Sequence, residues 1–131
     1  MLLFLVRHAH AEPGDPDETR PLSERGRSEA RVLAESLSKH ATPPVSVVTS
    51  PLLRARQTAD AIAAATGAVL RVDERLAPGA SLELLREMAA DEASPLVAVC
   101  HQPDCSEIAL ELTGNDPGFP PGGVAELTLD E

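Results

Sequence analysis

Four basic side chains in this sequence could together act on an anionic group, namely Arg7, His8, Arg54 and His101. A neutral histidine ring offers a nitrogen nucleophile, and an arginine guanidinium presents a planar fork of donors that fits the oxygens of a phosphate. The adjacent pair Arg7-His8 is a common dipeptide and indicates little by itself. Its interpretation depends on whether the fold brings Arg54 and His101 beside it.

Arg54 lies in the segment 50–59, which reads SPLLRARQTA. Ser50 followed by Pro51 is typical of a helix N-cap and first helical position, and the free backbone N–H groups at such a start attract anions. Arg54 then lies one turn into the helix, whereas Arg56 lies about 200° around the axis on another face. Taken alone, the segment fits either an anion site with Arg54 as a ligand or a surface helix that carries arginines.

The elements that must position these residues alternate along the chain. Short apolar runs predict five strands, at residues 2–6, 45–49, 69–72, 96–100 and 124–129. Capped or amphipathic segments predict four helices, at residues 23–39, 50–65, 81–90 and 103–112. This order predicts a three-layer α/β fold, with a mainly parallel sheet flanked by helices and with 124–129 as an edge strand. The length of 131 residues fits a single domain spanning 1–131.

Three polar positions follow the ends of predicted strands, namely His8, Ser50 and His101. Ligands of parallel sheets bind outside the carboxyl ends of the strands, so these positions are expected at one edge of the sheet. Arg7 and Arg54 would complete a positively charged pocket there, although the formal net charge of the chain is −10. A phosphoryl group in transfer carries charge on three equatorial oxygens, which donors in such a pocket would stabilise. The sequence therefore predicts a site for phosphoryl chemistry.

Composition excludes several other classes of function. An acidic chain lacks the basic surface that nucleic acids and anionic membranes require. The apolar start is too short for a secretory signal, and no segment is apolar enough to span a membrane. Cys100 and Cys105 match no zinc spacing and are expected to be free thiols, as in cytoplasmic proteins. We therefore expect a cytoplasmic protein with no nucleic-acid or membrane partner.

Taken in order, Arg7-His8, the segment 50–59 and His101 resemble the histidine phosphatase (phosphoglycerate-mutase-like) superfamily. The resemblance is strongest to its small SixA-type phosphohistidine phosphatase branch. It extends over essentially the whole chain, through residues 20–26, 76–79 and 123–129. The string at 50–59 is highly specific to the superfamily, whereas the Arg-His pair is specific only in combination.

The resemblance implies a minimal phosphoglycerate-mutase-like fold with few insertions, and a phosphatase that forms a covalent phosphohistidine intermediate. It implies that His8 is the nucleophile and that Arg7, Arg54 and His101 bind the phosphoryl oxygens. It implies no metal and no organic cofactor. The few insertions suggest a shallow, open site, which suits a phosphorylated histidine on another protein better than a small phosphorylated molecule.

One departure from the superfamily bears on the substrate. Branches that act on phosphate esters carry an Arg-Leu-x-Glu segment whose carboxyl protonates the leaving oxygen, but residues 75–78 read RLAP and place Pro78 at the acid position. A phosphohistidine leaving group needs this acid less, because a protonated ring departs as neutral imidazole. Glu74 or Asp73 could replace the missing acid, which leaves a small-molecule phosphomonoesterase as the alternative. A phosphate-binding module without catalysis is the third possibility.

Overall fold

The computed structural model describes residues 1–129 and contains the predicted alternation of strands and helices. The five strands are β1 (Leu2–Arg7), β2 (Ser46–Thr49), β3 (Val69–Val72), β4 (Leu96–Cys100) and β5 (Val124–Thr128). The four α-helices are α1 (Glu24–Ser38), α2 (Leu53–Thr66), α3 (Leu82–Ala89) and α4 (Asp104–Thr113). Two single-turn 3-10 helices lie at Asp17–Thr19 and Glu74–Leu76. No helix within residues 1–129 is both long and apolar enough to cross a membrane.

The strands form one sheet in the order β3-β2-β4-β1-β5. All neighbouring strands are parallel except β5, which pairs antiparallel with β1 at one edge. The mainly parallel sheet and its edge strand are therefore confirmed. Because β4 lies between β2 and β1, the carboxyl ends of these three strands meet, and Arg7 pairs directly with Cys100.

Helices cover both faces of the sheet, which confirms the three-layer arrangement. Along β1, Leu3 and Leu5 face a core completed by α3 and α4, whereas Phe4 and Val6 face a second core completed by α1 and α2. All four side chains are at most 2% exposed. Burying each of them stabilises the fold by roughly 1.5–3 kcal/mol, so β1 is held firmly from both sides.

The start of α2 differs from the prediction. Ser50 and Pro51 were expected at the N-cap and first helical position, but the helix begins at Leu53 with Leu52 at its N-cap. Leu52 offers no side-chain cap, and the Ser50 hydroxyl is instead engaged by a side chain from the end of β4. A tertiary hydrogen bond has replaced the local cap. The helix ends at Thr66, one residue beyond the predicted bound, and Gly67 follows it with φ of 75°.

Candidate active site

His8 follows β1 directly and has a fixed ring orientation. Its Nδ1 lies 2.7 Å from the backbone oxygen of Ala9, and because a carbonyl only accepts hydrogen bonds, Nδ1 carries the ring hydrogen. Nε2 is therefore left with a free lone pair. Burial, together with the positive charges of Arg54 and Arg7, lowers the pKa of His8 to about 4, although the hydrogen bond to Ala9 acts in the opposite direction. At neutral pH the ring is uncharged, and the side chain remains partly exposed.

His101 follows β4 and faces His8, with the two ring centroids 5.1 Å apart. Its Nε2 lies 2.7 Å from Oγ of Ser50. That hydroxyl is buried and its other partner, the Leu52 N–H at 3.3 Å, can only donate, so among the described residues Nε2 of His101 is the acceptor for the hydroxyl hydrogen. Nδ1 of His101 must then carry the ring hydrogen. Burial lowers the pKa of His101 to about 3, so this ring is also neutral.

Two buried side-chain polar atoms in the described part of the chain have no hydrogen-bond partner, Nε of Arg7 and Nδ1 of His101. Buried donors without partners are rare in folded proteins, because each costs about 1–3 kcal/mol. Both belong to residues that the sequence assigned to phosphate binding. The remaining part of the Arg7 guanidinium is anchored, since its NH1 donates to the backbone oxygen of Phe119 at 2.9 Å. The two unpaired donors are suited to the oxygens of an incoming anion.

Arg54 lies in the first turn of α2 and is 7% exposed. Its NH1 donates to the backbone oxygen of Asp17 at 2.9 Å, and its NH2 pairs with Oδ2 of the same residue at 3.1 Å. Sequence reasoning missed Asp17, because residues 12–20 contain several acidic side chains and no periodic pattern that distinguishes one of them. The positive charge of Arg54 also contributes to the lowered pKa of His8.

The rest of the segment 50–59 holds the site together. Thr58 Oγ1 accepts the backbone N–H of Ala9 at 3.1 Å and donates to the backbone oxygen of Arg54 at 2.9 Å. Gln57 Oε1 accepts the backbone N–H of Leu22 at 2.7 Å. Thr58 thereby joins the loop of the nucleophile to the helix that carries Arg54, and the four predicted site residues lie together at the carboxyl edge of the sheet.

The possible replacements for the missing acid differ in their surroundings. Asp73 is buried and pairs with Arg75 at 2.8 Å and with Arg71 at 2.9 Å. The hydrogen bonds from Arg75 hold the pKa of Asp73 well below its usual range, so this carboxyl has no proton to donate at neutral pH. The two ion pairs therefore disfavour Asp73 as the general acid and leave Glu74 as the other candidate. Glu74 is exposed on a single-turn helix.

Comparisons with known proteins agree with this geometry. A family model described as the histidine phosphatase superfamily (branch 1) matches residues 3–102. An uncharacterized protein of a Picosynechococcus strain is 36% identical over 97% of this chain and 84% of its own length. The phosphohistidine phosphatase SixA of Escherichia coli is 27% identical over 100% of this chain and 87% of its own. A solved structure of the protein histidine phosphatase SixA complexed with tungstate superposes with a TM-score of 0.87 at 27% identity, covering 99% of this chain and 89% of that one.

Proposed function

The chain belongs to the histidine phosphatase superfamily, and we propose that this phosphatase hydrolyses phosphohistidine on a protein through a covalent phosphohistidine intermediate on His8. The observation that carries the proposal is the hydrogen bonding of the ring nitrogens of His8 and His101. His8 has its Nδ1 committed to Ala9 and its Nε2 free, and it faces an unpaired Nδ1 donor on His101. The similarity to SixA supports the same substrate class.

In the first step, Nε2 of His8 attacks phosphorus and the bond from phosphorus to the substrate nitrogen breaks. Arg7, Arg54 and Nδ1–H of His101 donate to the phosphoryl oxygens, which carry the charge of the transition state. The substrate ring departs as neutral imidazole, because its second nitrogen already carries a proton. The phosphorylated His8 ring becomes an imidazolium, whose Nδ1–H still donates to the Ala9 oxygen.

In the second step, water attacks phosphorus and the bond to His8 Nε2 breaks. The water proton passes to the phosphate that is released, and His8 returns to its neutral form with the Nδ1 hydrogen retained. No residue needs to protonate a leaving group in either step. An alkoxide leaving group would need a proton, for which a general acid contributes about 10²–10⁴-fold. Pro78 at the acid position and the ion-paired Asp73 therefore favour a P–N bond over an ester.

The test is rapid-quench labelling with a radiolabelled phosphohistidine protein, run beside a panel of sugar and acid phosphate esters. We expect an acid-labile, alkali-stable label on the wild type and on the control His40→Asn, and none on His8→Asn. Full turnover of phosphohistidine by His8→Asn would overturn the mechanism. Faster turnover of esters, abolished by Glu74→Gln, would establish a small-molecule phosphomonoesterase instead. Binding of phosphate without turnover of any substrate would establish a non-catalytic module.

A further inference from the structure

An acidic residue contacts the proposed phosphoryl site directly. Asp17 lies on the single-turn helix Asp17–Thr19, within an exposed segment that returns toward α2. Its backbone oxygen and its Oδ2 accept hydrogen bonds from the two terminal nitrogens of Arg54, at 2.9 and 3.1 Å. Its Oδ1 accepts from NH1 of Arg20 at 2.9 Å. One residue therefore links two guanidinium groups at the edge of the site.

A carboxylate at this place needs an explanation, because it opposes the binding of a phosphate. The Arg54 guanidinium has five N–H groups, and the two contacts with Asp17 use one hydrogen on each terminal nitrogen. Three N–H groups remain for other acceptors. Because Arg54 is 7% exposed, its contacts with Asp17 define the direction of these remaining donors.

Asp17 also binds a second arginine, Arg20. Arg20 is held between Oδ1 of Asp17 and the backbone oxygen of Glu12, which accepts from its Nε at 2.7 Å. Through Asp17, Arg20 is linked to Arg54, and its charge also contributes to the lowered pKa of His8. Without the Asp17 carboxylate, NH1 of Arg20 loses this hydrogen-bond acceptor.

We propose that Asp17 is a positioning residue, which orients the Arg54 guanidinium toward the phosphoryl oxygens and holds Arg20 beside the site. This proposal rests on the proposed function in one respect, that Arg54 binds the phosphoryl group. The opposite role is a competitor, in which the Asp17 carboxylate occupies the place of the phosphoryl oxygens and must be displaced. The two roles predict changes of opposite sign when the charge is removed.

The first experiment measures Asp17→Asn, with Asp15→Asn as its control. Asp15 is an exposed acidic residue of the same segment, and its replacement removes the same charge. We expect Asp17→Asn to lower kcat about 10- to 100-fold with a smaller change in KM, because misplacing a group that binds the transition state costs rates of this order. Inorganic phosphate should inhibit the variant more weakly, whereas Asp15→Asn should behave like the wild type. Asp17→Glu should recover part of the loss.

The second experiment is a double-mutant cycle with Arg20→Gln. If Asp17 holds Arg20 at the site, Arg20→Gln should cost less in the Asp17→Asn background than in the wild type. Equal costs in both backgrounds would contradict the link through Asp17. Thermal unfolding of each variant shows whether the fold is intact, since Asp17 is exposed and its replacement should leave the midpoint near that of the wild type.

Two results would overturn the proposal. Tighter binding of inorganic phosphate by Asp17→Asn, with a higher kcat/KM, would establish the competitor role. Identical behaviour of the Asp17→Asn and Asp15→Asn variants would remove Asp17 from the site. Calorimetric binding of inorganic phosphate measures the effect of Asp17 even if phosphohistidine proves not to be the substrate, so the two proposals fail independently.

Discussion

The Ser50 hydroxyl lies 2.7 Å from Nε2 of His101, and this contact leaves Nδ1 as the nitrogen available to the proposed phosphoryl site. The hydroxyl accepts from the Leu52 N–H and donates to His101, so the ring hydrogen lies on Nδ1. Nδ1 is the buried donor without a partner. Ser50 therefore acts through His101 and is expected to have no direct contact with the substrate.

Ser50→Ala should lower kcat by about 10-fold or more, because His101 loses the contact that selects its tautomer and holds its ring. The control is Ser46→Ala, a buried serine at the first position of β2, the strand that Ser50 follows. Steady-state kinetics on phosphohistidine measures the difference. A loss of the same size in both variants would point to general destabilisation of β2 rather than to the orientation of His101.

Thr58→Val should lower the free energy of unfolding by about 1–3 kcal/mol, since it leaves the buried Ala9 N–H without a partner. The matched control is Thr66→Val on the same helix. Its hydroxyl also bonds to a backbone oxygen, that of Ile62, but the residue is partly exposed and water can replace the contact. Urea denaturation measures both changes. Equal losses would mean that the link between the Ala9 loop and α2 contributes no more than a surface bond.

The sequence allowed the strands and the position of the site to be predicted because both follow from local rules. A continuous apolar run such as 96–100 suits only a strand that is covered on both faces, and polar residues beyond such strands meet at one edge. The start of α2 was predicted wrongly because Ser50-Pro51 has the local form of a cap, whereas the hydroxyl binds a residue 51 positions away. Asp17 was missed for the same reason, since its partner Arg54 is 37 residues distant.

Stability should fall as the pH drops from about 6.5 toward 4, because of the two site histidines. In the unfolded chain their pKa is near 6.5. In the folded chain burial lowers the pKa of His8 to about 4 and that of His101 to about 3. The unfolded state therefore binds more protons in this window, and each histidine contributes a slope of at most about 1.4 kcal/mol per pH unit.

Urea denaturation at a series of pH values checks this slope, and NMR titration of the ring hydrogens checks its cause. The ring signals of His8 and His101 should stay unchanged between pH 7.5 and 5.5. His8→Asn should reduce the slope of stability against pH by about half. A ring of His8 that titrates with a midpoint near 6.5 would contradict the buried, neutral nucleophile.

Cys100 and Cys105 should resist alkylation in the folded protein, although their Sγ atoms lie 3.1 Å apart. Both side chains are fully buried, and the neighbouring Cys100 together with burial raises the pKa of the Cys105 thiol. The reactive thiolate is therefore scarce at neutral pH. Mass spectrometry after treatment with iodoacetamide should show no adduct in buffer and two adducts in denaturant. Rapid labelling in buffer would show that this part of the core opens.

Gly26→Ala should destabilise the protein, although alanine normally stabilises a helix interior by about 1 kcal/mol relative to glycine. A Cβ at this position would overlap the backbone oxygen of His10, which also accepts the Ser23 N–H at 3.0 Å. That oxygen belongs to the loop that follows the nucleophile, so it cannot move without shifting Ala9 and His8. We expect a loss of about 1–3 kcal/mol from overpacking, together with lower activity. Ser28→Ala, at an exposed position of the same helix, is the control and should be neutral or slightly stabilising. A thermal midpoint for Gly26→Ala at or above that of the wild type would show that α1 can move away from the loop of His8.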